Sequence, residues 1–222
     1  MTTAESSTDR RCRGRPQLRS DDETCQIIYE AARHEFAGNG FAATSMETVA
    51  RRAGVSTKTL YRLIPNKAAL FEGMVSDRMD RFVFEVNLRA ADHAEIEQAL
   101  VAALIACAEL ALDEEIIGLQ RMLLQEAGKF SDIAAMFYKN AIQRSGVALA
   151  DWLRLQQKRG LIALDDVNEA AGMLLGMVTS APRRAALFGG VPLPSRSQIK
   201  ARARACATLF LRGCQVRAIR KR

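Results

Sequence analysis

Ala50, Gly54 and Leu60 stand four and six residues apart within the stretch 42–70, AATSMETVARRAGVSTKTLYRLIPNKAAL. These residue types at this spacing describe two short helices that cross closely. Alanine at 50 permits the close crossing, and glycine at 54 takes the positive φ of a tight turn. Leucine at 60 packs the second helix back onto the first. The result is a helix-turn-helix whose second helix, opened by Ser56, buries only one side. Its other side carries Thr57, Lys58, Thr59, Tyr61 and Arg62. Hydroxyls and cations on a slender helix are what a DNA major groove admits, for phosphates and base edges alike.

The flanking sequence is helical as well. Ser20-Asp-Asp-Glu23 has the form of a capping box, with acids where the helix dipole favours them. The helix it opens carries Ile28, Ala32 and Phe36 four apart and stops at Gly38-Asn39-Gly40. Thr44-Ser45-Met46-Glu47 reads as a second capping box, with Met46, Val49, Ala50 and Ala53 inward. Pro65 ends the reading helix and Asn66 caps the next, whose apolar stripe is Leu70, Met74, Val75, Phe82, Val83 and Val86. Further helices are expected at 113–126, 131–159, 166 to about 180, and 197 to about 213, with another around Leu100, Leu104 and Cys107. No run of alternating β-branched residues interrupts them. The expectation is an all-α chain of about nine helices, with an N-terminal helix-turn-helix part and a larger C-terminal helical part. Residues 1–19 read as a flexible basic arm, 20–72 as the DNA-binding domain, 73–213 as a regulatory and dimerisation domain, and 214–222 as a basic tail.

Charge agrees with an anionic partner without locating its site. The net charge is +7, divided as +3 over residues 1–67, −5 over 68–195 and +9 over 196–222. The helix-turn-helix stretch sets Arg51, Arg52, Lys58, Arg62 and Lys67 against Glu47 alone. Arg10, Arg11, Arg13 and Arg15 form an arm of the kind that reaches into a narrow minor groove; a tail contacting phosphates non-specifically is the equal alternative. Lys67 lies in the first turn of a helix, against the positive end of its dipole. A phosphate at that helix start would give the ammonium and the free amides a partner.

Other chemistries lack their residues. With 49% hydrophobic and 26% charged residues, the chain is neither low-complexity nor wholly disordered. Cys12, Cys25, Cys107, Cys206 and Cys214 are scattered, and with His34 and His93 they make no zinc spacing. Reduced thiols are the expectation. No cofactor or metal motif is present, and Gly38-Asn39-Gly40 follows a helix where a dinucleotide site needs a strand. Asp113 and the Asp165-Asp166 pair precede helical patterns, so capping explains them better than acid–base catalysis. No apolar stretch approaches the ~20 residues of a membrane span, and no signal core opens the chain, so a cytoplasmic protein without membrane contact is expected.

Gly40-Phe41, Thr44, Val49-Ala50, Ala53-Gly54-Val55-Ser56, Thr59-Leu60-Tyr61 and Asn66-Lys67 with Leu70 resemble the N-terminal domain of TetR-type transcriptional regulators over residues 22–72. An aromatic residue is usual in that family where this chain has Ile64. Phe130 to Tyr138, Leu161 to Ala170, Leu174 to Met177 and Leu209 to Gly213 resemble the AefR-like branch. The resemblance implies a homodimeric repressor on double-stranded DNA, at a palindromic operator, released by a small molecule bound in the central helices. It further implies that Thr44, Tyr61 and Lys67 contact phosphates, beside Ser45, and that 56–62 is the recognition helix.

Met122, Phe130, Met136, Phe137, Trp152, Met173 and Met177 are candidates to line a pocket for a small apolar effector, although such residues also build ordinary cores. Ile199, Ala203, Cys206 and Phe210, facing Ala171, Leu174, Leu175 and Val178, would form a four-helix contact across a two-fold axis. Two rival readings are a small-molecule-processing enzyme that retains a DNA-binding domain and a non-specific DNA-organising protein. The absence of a nucleophile–base pair or metal set weighs against the first.

Overall fold

Local capping chemistry sets most helix ends in the computed structural model, which describes residues 19–91, 95–189 and 191–214. Helix α1 (Asp21–Ala43) opens with the expected box: Glu23 N–H donates to Ser20 Oγ at 3.1 Å and Ser20 N–H to the Glu23 carboxylate at 2.8 Å. Gly40, at φ +85°, breaks it before the last turn. Helix α2 (Met46–Ala53) is capped one residue later than expected. Thr48 N–H donates to Ser45 Oγ at 3.1 Å, because the Thr44 hydroxyl is engaged behind it, donating to the Gly40 carbonyl at 2.7 Å. Gly54, at φ +66°, makes the turn, and α3 (Thr57–Leu63) starts from Ser56, whose Oγ accepts from Thr59 N–H at 3.0 Å. Asn66 then caps α4 (Lys67–Ala91).

Beyond these lie α5 (Ile96–Ala111), α6 (Glu114–Glu126), α7 (Ser131–Phe137), α8 (Arg144–Lys158), α9 (Val167–Phe188) and α10 (Arg196–Cys214). A π-helical segment, Tyr138–Gln143, joins α7 to α8 without a break, so the three form one rod. Nine rods result, and no strand occurs among the described residues. Asp113 and Asp166 cap α6 and α9 through two backbone amides each.

Helix α9 runs past the expected stop near Ser180. Pro182 lacks an N–H for the Val178 carbonyl, and its ring crowds that turn. Arg202 on α10 supplies the missing donors, reaching the Met177 carbonyl at 2.7 and 2.9 Å and the Val178 carbonyl at 3.1 Å. A side chain from the neighbouring helix thus keeps α9 continuous.

Apolar side chains gather in two clusters with α4 passing through both. One holds Ile28, Phe36, Val49, Leu60, Ile64, Leu70 and Phe71. Ile64 is buried there, filling the position where the family usually has an aromatic ring. Leu119, Met122, Ile133 and Phe137, far downstream, complete this cluster. Phe41 meets Phe71 and Phe130 edge-on at 5.8 and 5.1 Å. Gly118 lets α6 lie close on α1, since a Cβ there would meet the Ala37 Cβ at 3.3 Å. The second cluster joins the far half of α4 to α5, α8, α9 and α10, with Leu100, Leu104, Leu153 and Leu174 fully buried.

Candidate nucleic-acid interface and effector cavity

Leu60 is fully buried, which fixes the rotation of α3 and turns Thr57, Lys58, Tyr61 and Arg62 outward. Thr59 is half-buried, its hydroxyl 2.8 Å from that of Ser56. Ser45 sits at the start of α2 as its cap. Lys58 is exposed and makes no ion pair or hydrogen bond among the described residues. Tyr61 donates its phenol to Glu47 at 3.4 Å; desolvation, then the Glu47 charge, raises the phenol above its ordinary value. Arg62 grips both carboxylate oxygens of Asp21 at 2.7 and 2.8 Å, and that bond raises its already high pKa. The outward face of α3 is thus one free cation, a row of hydroxyls, and an arginine held ready at α1.

Thr44 and Lys67 point inward. Thr44 is 2% exposed and its hydroxyl serves the Gly40 turn. Lys67 donates from Nζ to the carbonyls of Phe41, Thr44 and Ala42 at 2.7, 2.8 and 3.2 Å, and lies 4.7 Å from the centre of the Phe41 ring. Desolvation lowers the ammonium's pKa, against the opposing pull of Glu126. In this arrangement all three ammonium donors answer the last carbonyls of the broken α1. Glu126 accepts from Ala42 N–H at 3.3 Å, so α6 reaches the same turn. Arg10, Arg11, Arg13 and Arg15 lie outside the described residues.

A cavity of about 440 Å³ opens between α4, α5, α6, the π-helical segment and α9. That is within the range for small-molecule sites. Met79, Leu119, Phe137, Tyr138 and Leu175 are among its walls, and π-turns commonly mark functional positions. Of the residues expected to line a pocket, only Phe137 is there. Met122, Phe130 and Met136 belong to the cluster around α1, Trp152 and Met177 to the second cluster, and Met173 is 58% exposed. Helical register identified them as inward or adaptable, but not which interior seam stays empty. Cys107, on the wall, is a buried thiol with its pKa pushed up to about 12 by desolvation. Cys25, Cys107 and Cys206 are free thiols.

Arg78 and Arg183 also line the cavity, and sequence reasoning passed over them. The signal was present. Arg78 follows Met74 by four and precedes Phe82 by four, on the buried stripe of α4. Arg183 continues the series Leu175, Thr179 at the same interval.

The expected dimer seam is also placed differently. Ile199, Ala203, Cys206, Ala171, Leu174 and Val178 are buried within the chain, packed with apolar side chains of α5. Helix α5 is apolar on nearly all sides and occupies the seam that α9 and α10 would have offered a partner.

Residues 98–214, more than half of the chain, match the family described as AefR-like transcriptional repressor, C-terminal domain, and residues 28–74 match the bacterial regulatory proteins of the tetR family. The chain belongs to the TetR family. It is similar in structure to a protein described as a TetR-family transcriptional regulator from Mesorhizobium loti MAFF303099, at 25% identity and TM-score 0.76, covering 88% of this chain and 98% of that one. It is similar to the flavonoid-responsive regulator FrrA at 27% identity and TM-score 0.69, over 89% and 100% of the two chains. The fold is shared with the fatty acid degradation regulator FadR from Bacillus halodurans, at 18% identity and TM-score 0.68, over 86% and 99%. No curated protein sequence matches significantly. As a TetR-family member the chain is a ligand-responsive, DNA-binding transcriptional regulator with an N-terminal helix-turn-helix and a C-terminal helical part. Regulators of this family are generally non-enzymatic and typically act as dimers. No described helix is long and apolar enough to cross a membrane.

Proposed function

We propose that this TetR-family regulator is a homodimeric repressor, acting in the cytoplasm at a palindromic operator, and that a small organic effector releases it. The observation that carries the reading is the position of the cavity. Helices α4 and α6 wall it, and the same two helices hold α1 and the α1–α2 turn through Lys67, Glu126 and the Phe71 ring against Phe41, with Phe130, just before α7, on the other side of Phe41. A ligand that prefers a different spacing of α4 and α6 therefore moves α3. It must discriminate between the two arrangements, since equal affinity for both shifts nothing.

In this reading residues 20–72 form the DNA-binding domain and 73–213 the regulatory and dimerisation domain. Ser45, Ser56, Thr57, Lys58, Thr59, Tyr61 and Arg62 meet phosphates and base edges, while Thr44 and Lys67 support that surface from beneath. The dimer uses the outward faces of α9 and α10, where Met173 and Leu209 are 58% and 66% exposed. FrrA responds to flavonoids by its name, which supports a small organic effector with an apolar body here. Footprinting on the DNA flanking this chain's own gene, repeated across salt, tests the proposal. A protected palindrome is expected; weak protection of all sequences alike, the mark of a DNA-organising protein, overturns it. Light scattering should give twice the chain mass.

A further inference from the structure

We infer that the effector is an amphipathic organic acid whose carboxylate is held by Arg78 and Arg183; the inference rests on the cavity being the effector site. The wall of the cavity contains three arginines, Arg33, Arg78 and Arg183, and no aspartate or glutamate. Arg33 is neutralised from outside the cavity, by Glu30 and Glu115. Arg78 and Arg183 make no hydrogen bond or ion pair among the described residues, and the Nε of Arg78 is buried without a partner. The acids nearest Arg78 along α4 are engaged elsewhere: Asp77 with Gln26 and Arg81, Asp80 with Arg144.

A guanidinium does not deprotonate in a protein, so burial cannot be relieved by losing the charge. Buried donors without partners are rare, and each marks a missing acceptor. One such donor on α4, and a second unpaired, half-buried guanidinium on α9, both lining one largely apolar cavity, point to an anion held between them. Carboxylate fits the planar fork of arginine better than a single hydroxyl does. Met79, Leu119, Phe137 and Leu175 leave the remainder of the ligand in apolar surroundings. The expectation of a small apolar effector is thereby revised: a neutral ligand leaves both guanidiniums unpaired, and a cationic one is repelled. Because Arg78 and Lys67 share α4, the acid pulls on the rod that holds the α1–α2 turn.

The test is calorimetric titration of the full-length protein with decanoate, cinnamate and naphthoate, each beside the alcohol of the same carbon skeleton. At least one acid should bind about tenfold or more tightly than its alcohol. Arg78→Gln and Arg183→Gln should lose that preference for acid over alcohol, and Arg78→Lys should keep part of it. Leu175→Trp, which fills the cavity, should abolish binding of both classes. Alcohols bound as well as acids, or no acid bound at all, overturns the acid assignment. Acids bound equally by Leu175→Trp overturn the cavity as effector site.

Discussion

Lys67 donates from Nζ to the backbone carbonyl of Thr44 across 2.8 Å, so the first residue of α4 holds the loop that leads into α2. The helix that walls the cavity and the helix that opens the reading motif are joined at one ammonium. Helix α1 breaks at Gly40, leaving the carbonyls of Phe41, Ala42 and Thr44 without helical donors, and the lysine supplies all three. The cation's conflict with the start of α4 is offset by its fit to the end of α1.

Lys67→Met should therefore lower stability by about 2 kcal/mol in urea unfolding, the order expected for hydrogen bonds from a charged group. The slope of log affinity for DNA against log salt should stay the same. Had Lys67 met a phosphate directly, the slope would fall by about 0.9 with stability unchanged.

Lys58 and Arg62 should separate in the opposite sense. Lys58→Ala is expected to leave the melting temperature alone and reduce the salt slope by about 1. Asp21→Asn frees Arg62 and removes a negative charge beside the reading helix. Gel shifts should then show tighter binding to random DNA, with little change in melting, because both partners of the pair are about half exposed.

Arg202→Ala should destabilise the chain by about 1 kcal/mol, since it strips the donors that Pro182 made necessary. Pro182→Ala restores a backbone N–H for Val178. In the Pro182→Ala background, Arg202→Ala should cost measurably less, and a double-mutant cycle on thermal melts gives the coupling. Additive effects would separate the arginine from the proline.

Acid should loosen the contact between α1 and α2 first. A side-chain hydrogen bond from Arg52 holds the buried Glu35 carboxyl below its ordinary value of 4.5, outweighing desolvation. A carboxyl with a depressed folded pKa adds stability that is complete above the unfolded value and lost as pH falls through the folded one. Melting temperature should thus drop as pH falls below about 4.5, and Glu35→Gln should flatten that drop while lowering stability at neutral pH. An unchanged profile would remove Glu35 from the acid response.

What the sequence carried plainly was local. Ser20, Asp113 and Asp166 announce their caps and Gly54 its turn, because each acts within four residues of itself, and Leu60 announces its buried side by its spacing from Ala50 and Gly54. What it hid depends on partners distant along the chain. The helix opened at Asp166 reads as ending near Ser180 until Arg202 is brought beside Val178, and the carbonyl partners of Lys67, read as a phosphate contact, appear only once the broken end of α1 is placed against it. The apolar faces of α9 and α10 looked destined for a second copy because nothing local says that α5 takes them. Most of the cavity's lining was misplaced for the converse reason: methionine and aromatic rings mark the interior without saying which seam stays open, while Arg78 and Arg183 on apolar stripes point to it.

Leu119, Met122, Ile133 and Phe137 finish the core that Phe36, Phe41 and Phe71 begin. A fragment ending near residue 72 would lack these side chains, and a graft of that fragment onto another regulator would set its rings against foreign neighbours. The reading unit and the sensing unit are successive in sequence but share one interior, so neither is interchangeable without the other.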